Sequence, residues 1–145
     1  MTNEEETLRR MIIELRLLEG TAEELQARLN IIDSAIADSQ IAGLTLDGLK
    51  NKEKDTQLLI PIGAGSYIKA GIVEPDKVII GIGAGISVEK TIDEAKTSVA
   101  NQLAELEKVR QSLQQQFVQV AQKINETRSK INELSRKISE GTRRV

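Results

Sequence analysis

The spacing that first suggests chemistry is a glycine run, Gly81, Gly83 and Gly85 in "IGIGAG" (80–85). A G-x-G-x-G loop that leaves a strand and opens a helix turns its amide N–H groups and the helix N-terminus onto a phosphate. Here Gly85 is followed by Ile86-Ser87-Val88-Glu89-Lys90, in which apolar and polar residues alternate. That is a strand pattern, and the helix signal arrives only at Thr91. The lysine and hydroxyl residue that complete a P-loop are missing. A near copy, "IPIGAG", occupies 60–65, twenty residues earlier. The run therefore reads as a backbone device used twice, with glycines placed where the chain must adopt positive φ.

The composition narrows the chemistry further. The chain of 145 residues contains no His and no Cys. Disulfides, thiol nucleophiles and cysteine zinc sites are excluded, and so is the usual general base near neutral pH. No cofactor, metal or catalytic residue is expected, and the chain does not read as an enzyme. The net charge of −2 is spread without a basic stripe, so no nucleic-acid partner is expected. No apolar run has the length of a membrane span, and "MTNEEETLRR" lacks the basic start of a signal peptide. The expected location is the cytoplasm, away from membranes. Aromatic residues make up 1% of the chain, represented by Tyr67 and Phe117. A compact core draws much of its buried area from aromatic rings, so a thin architecture of Leu, Ile, Val and Ala is favoured.

Two heptad arrays supply that architecture. The first places Leu8, Leu15, Ala22, Leu29 and Ile36 at one seam position and Met11, Leu18, Leu25, Ile32 and Ser39 at the other. The second places Ile92, Val99, Leu106, Leu113, Val120, Thr127 and Leu134 at one position, and Lys96, Leu103, Arg110, Phe117, Ile124, Ile131 and Ile138 at the other. Thr91 and Glu94 form a capping-box pattern for the second helix, and Gly141 fits its stop. Antiparallel pairing within the chain sets Leu8 against Leu134, Met11 against Ile131, Leu25 against Phe117 and Leu29 against Leu113. Arg110 then falls opposite Ile32, where its stem can snorkel out or fix the register. Thr127 falls opposite Leu15. A helix of about 45 residues runs roughly 65 Å at 1.5 Å per residue.

Between the arrays, Gly43 and Gly48 loosen the end of the first helix and 50–57 reads as a solvated connector. Four short strands follow over 58–90, as two hairpins linked through Pro75-Asp76. Each hairpin turns on Gly-Ala-Gly (Gly63, Ala64, Gly65 and Gly83, Ala84, Gly85), or else these triplets are bulges and the reversal lies at Pro75-Asp76. Pro61 belongs at an edge or a bulge. The expected fold is α+β, mainly α. A long antiparallel two-helix coiled coil carries two inserted β-hairpins. The segments are 1–49, helix one; 50–57, connector; 58–90, hairpins; 91–140, helix two; and 141–145, a tail. The hairpins carry apolar residues on both faces, and a two-helix stalk offers little to cover them. Leu58, Ile60, Ile62, Ile68, Ile72, Val78, Ile80, Ile82, Ile86 and Val88 are therefore expected to drive oligomerisation into a shared sheet or closed barrel.

The order of helix, two hairpins and returning helix, with "PIGAGSYIKA" (61–70) and "GIGAGISVEK" (81–90), resembles the alpha-type subunits of archaeal prefoldin across essentially the whole chain. The doubled Gly-Ala-Gly turn matches the two hairpins of the alpha type, where the beta type has one. The resemblance implies a hexamer of two alpha-type and four beta-type subunits, built on a β-barrel base from which coiled-coil arms project. It implies an ATP-independent holdase that captures unfolded or nascent proteins and passes them to a group II chaperonin. Client contacts are then expected at the arm tips, from Leu8, Met11, Ile12, Ile13, Leu17, Ile131, Leu134 and Ile138. Of these, Ile12, Ile13 and Leu17 lie off the strict seam and either flank it or form an exposed patch. The alternative is a coiled-coil scaffold or spacer that self-assembles through its hairpins and docks one folded partner. Millimolar ATP or NAD is expected to leave the melting temperature unchanged in a thermal-shift assay; a concentration-dependent rise would restore the phosphate-loop reading.

Overall fold

The computed structural model describes residues 3–143. In chain order the elements are α1 (Asn3–Leu49), β1 (Gln57–Gly63), β2 (Ser66–Gly71), β3 (Lys77–Gly83), β4 (Ile86–Thr91) and α2 (Ile92–Arg143). Two compact units result, one from α1 up to Ser34 with α2 from Glu107, the other from Ala35–Leu106.

In the first unit the heptad residues meet as the sequence sets them. Leu25, Leu29 and Leu113 are buried together, with Ile32, Phe117 and Val120 packed against them. Leu29 with Leu113 and Leu25 with Phe117 are the pairs of the antiparallel register. Arg110 does not enter this seam. It is exposed, and its Nε donates to Asp33 Oδ1 at 2.6 Å. Thr127, by contrast, is buried at 6% exposure within the seam. Two further ion pairs cross between the helices, Lys123 with Glu14 at 3.9 Å and Arg128 with Glu19 at 3.1 Å. Pairs this exposed contribute little each, about 0–1 kcal/mol, so apolar packing rather than charge holds the unit.

The second unit is built on Leu46, Ala95 and Val99, with Ala42, Val78 and Ile80 packed against them. The seam here departs from the heptad drawn on the sequence. Ala95 is wholly buried at 0% exposure, whereas Lys96 is half-buried and carries its ammonium to Asp47 Oδ1 at 2.6 Å. A methyl group fits where β3 presses on the helices, and a lysine head there would lose its water. Gly43 and Gly48 do not end α1 early, because Leu46 between them is anchored in this cluster. The start of α2 is capped as its sequence predicts: the Glu94 N–H donates to the Thr91 hydroxyl at 3.2 Å. At its other end α2 runs through Gly141 to Arg143, so Gly141 is not the stop. The Thr142 hydroxyl donates to the Ile138 carbonyl at 2.9 Å, a bond back to the preceding turn.

β1 pairs antiparallel with β2, and β3 with β4, as two separate two-stranded sheets. Ala64 and Gly65 form the first turn with φ of 50° and 70°; Ala84 and Gly85 form the second with 52° and 73°. Positive φ at both central residues is the requirement of a type I′ hairpin, whose twist matches its strands. The ladder also shifts register between Pro61 and Gly63 and between Gly81 and Gly83. The leading glycine of each triplet belongs to a bulge and the other two residues to the turn, and the reversals lie at Gly-Ala-Gly, not at Pro75-Asp76, since β2 and β3 do not pair. The connector is shorter than its composition suggests. The Asp55 N–H donates to the Ile72 carbonyl at 2.8 Å and the Ile72 N–H to the Thr56 carbonyl at 3.1 Å, which extends the first hairpin beyond β1.

Hydrogen bonding to the Asp47 carboxylate holds the Lys96 ammonium above its ordinary 10.5. Stability from this pair is therefore complete below 10.5 and is lost as pH rises through the raised value. Asp47→Asn is expected to bring the Lys96 titration back toward its ordinary midpoint in a nitrogen-detected NMR experiment; an unchanged midpoint would remove Asp47 as the cause.

Candidate functional site

Three surfaces compete for a functional role: the glycine turns, the hairpin faces and the helix termini. The glycine turns lack the geometry of a phosphate cradle. Each is followed by a strand, β2 or β4, so no helix N-terminus adds its amides to the loop. Among the described residues no group of three His, Cys, Asp or Glu side chains is placed to hold a metal ion.

The hairpins carry the residues expected to oligomerise, and the structure divides them. Val78 and Ile80 pack on the helices of the same chain. Leu58, Ile72 and Val88 are half-buried, and Ile60, Ile62, Ile68, Ile82 and Ile86 are exposed. Hairpin β3–β4 is thus seated on the helix pair by one face, while the matching face of β1–β2, with Ile60 and Ile68 opposite each other, stays open. Leu59 and Ile79, on the other face and outside the set expected to oligomerise, are exposed at 63% and 76%. Their signal was present, since each directly adjoins a chosen residue and must point the other way.

The helix termini lie in the first unit. Leu8, Met11, Ile12, Ile131, Leu134 and Ile138 are half-buried there, which is what a seam between two helices allows. Met11 and Leu134, with Thr7, Lys130, Glu133 and Lys137, line a shallow depression of about 240 Å³. Ile13 and Leu17 differ from the rest, being 58% and 69% exposed. Four residues apart, they stand on one face of α1. Ile31, Ile41 and Leu44 are equally exposed, and the sequence reading did not single them out. In the second unit Leu44 joins Gly43, Val99, Ala100 and Leu103 along an apolar groove of about 500 Å³, with Lys96 and Asp47 on its lining. The signal for these positions was an apolar residue off both seam positions.

The described arrangement offers apolar surface of the kind that binds other chains. The family model for "Prefoldin subunit" matches residues 18–137. The chain belongs to the prefoldin family. A prefoldin subunit alpha of Methanopyrus kandleri is 40% identical over 111 residues, covering 77% of this chain and 71% of that protein. Among solved structures, a filamentous prefoldin of Methanocaldococcus jannaschii aligns with a TM-score of 0.67 at 25% identity, over 79% of this chain and 95% of that one. The prefoldin beta subunit of Thermococcus strain KS-1 aligns with a TM-score of 0.60 over 92% and 96%, and at 15% identity it shows the shared fold. The chain is a prefoldin chaperone subunit, and its two long helices with two small hairpins between them are the family's architecture.

Exposure separates patch from seam in this prefoldin subunit. Replacing Ile13 and Leu17 together by serine is expected to change unfolding free energy by no more than about 1 kcal/mol, while Leu29→Ala removes about 2–5 kcal/mol. Urea titrations followed by circular dichroism check both; a large loss in the double variant would place Ile13 and Leu17 in the seam.

Proposed function

We propose that this subunit is an ATP-independent holdase that takes hold of unfolded or nascent proteins near its helix termini. The observation that carries the reading is the exposed pair Ile13 and Leu17 beside seam residues that are themselves half-buried. Unfolded chains offer scattered apolar side chains, and an apolar patch of this kind gains by covering them. No bond is made or broken in such capture, which suits a chain without His or Cys, and we assign it no catalysis. The exposed hairpin faces support assembly with beta-type subunits, two alpha-type with four beta-type, and we place the complex in the cytoplasm. Delivery of the client to a group II chaperonin completes the reading. Among the described residues no helix is long and apolar enough to cross a membrane.

Mixed with a beta-type subunit, the chain is expected to form a complex that slows aggregation of a chemically denatured client without ATP. The Ile13→Ser, Leu17→Ser variant should assemble normally by native mass spectrometry and protect several-fold less well. Absence of protection by the unaltered complex overturns the holdase reading. Full protection by the variant overturns the assignment of the patch.

A further inference from the structure

α1 is an acidic helix whose basic residues are Arg9, Arg10, Arg16 and Arg28. Arg28 is engaged by Glu24 one turn away, Nη2 to Oε1 at 2.8 Å. Arg9, Arg10 and Arg16 are exposed, and none of them makes an ion pair among the described residues. They fall within about two turns of helix.

Helical spacing sets these three around Ile13 and Leu17. Arg9 and Arg10 precede Ile13 by four and three residues and Arg16 follows it by three, so each is its neighbour on the helix surface. Leu17 continues the patch, four residues beyond Ile13. Past Leu17, Gly20 stands in open space and raises no side chain over the patch. The nearby carboxylates are turned elsewhere. Glu14 faces Lys123 of α2 at 3.9 Å, and Glu19 accepts from Arg128 at 3.1 Å. Glu6 lies one turn nearer the helix start and pairs with neither Arg9 nor Arg10. The other exposed apolar residues of α1 have no such rim. Ile31 adjoins Arg28, which is engaged, and Ile41 and Leu44 adjoin Asp38 and Asp47.

We propose that the patch of Ile13 and Leu17 with Arg9, Arg10 and Arg16 selects acidic apolar segments of unfolded chains, those in which Asp or Glu stands beside large aliphatic side chains. The inference deepens the proposed holdase function by naming a substrate class, and it rests on the reading of Ile13 and Leu17 as a capture patch. Contact between aliphatic side chains supplies affinity without sequence preference. The guanidinium groups supply the preference. Each presents a planar fork of donors that matches a carboxylate, and apolar contact beside it excludes water and strengthens the pair. A basic segment meets repulsion at the same place.

The test uses the chain assembled with a beta-type subunit and dye-labelled, unstructured peptides of equal length and leucine content that carry Asp, Gln or Lys between the leucines. Fluorescence anisotropy at low salt is expected to show the Asp peptide bound about fivefold more tightly than the Gln peptide, the size of two exposed ion pairs, and the Lys peptide bound least. The preference should shrink toward 1 M salt, where the screening length is about 3 Å. The triple variant Arg9→Gln, Arg10→Gln, Arg16→Gln should bind all three peptides alike, with helicity and assembly unchanged by circular dichroism and native mass spectrometry. Equal affinities in the unaltered complex overturn the proposal, and so does a preference for Asp that persists in the triple variant. The Ile13→Ser, Leu17→Ser variant tests the underlying reading separately. If it binds every peptide like the unaltered complex, the capture patch itself is overturned. If it loses binding while the unaltered complex shows no preference, the patch stands and only the charge selection falls.

Discussion

A seam between two helices covers an apolar side chain from one side, and the rest of this protein is arranged around that limit. Leu25, Leu29 and Leu113 are buried, yet no large side chain among the described residues is sealed from solvent altogether. Packing of this depth suffices to hold α1 to α2, because many small contributions add along the heptads. It leaves no third layer to close over the hairpins. Their exposed Ile60, Ile62, Ile68 and Ile82 follow directly from the shortage of cover. Apolar strands that a two-helix chain cannot cover favour burial against another chain.

Charge works at the margins of that packing. Arg110 occupies a seam position in the sequence and leaves it in the structure, reaching Asp33. Lys96 does the same toward Asp47, while Ala95 takes the space under β3. In both places a long stem lets the charged head stay in water while the neighbouring apolar residues close up.

Much of this was legible in the residues. The heptads named the seam correctly over Leu25, Leu29, Leu113 and Phe117, since a period of three and four residues admits only one buried stripe. Thr91 and Glu94 marked the start of α2, and Gly-Ala-Gly marked the reversals. Family membership was readable from 61–70 and 81–90, and the comparisons confirm it. Other features had no local signal. Whether Gly63 bulges or turns depends on the ladder beside it, and the ladder needs β2 in place. Gly141 looks like a helix stop by type, yet the helix continues to Arg143 with Thr142 bonded back to Ile138. Leu44 and Ile41 read as ordinary surface in the sequence, and only the packed structure shows how exposed they are.

The sequence by itself determined the element order, the seam and the turns, because periodicity, capping and positive φ are properties of a few neighbouring residues. The tertiary structure decided which face of each hairpin is spent inside the chain. Val78 and Ile80 lie on Leu46, Ala95 and Val99, whereas Leu58 and Ile60, at equivalent places in the first hairpin, do not join that cluster. The difference arises because β4 runs directly into α2, with the Ile92 N–H bonded to the Asp76 carbonyl at 3.2 Å, and this tethers the second hairpin against the helices.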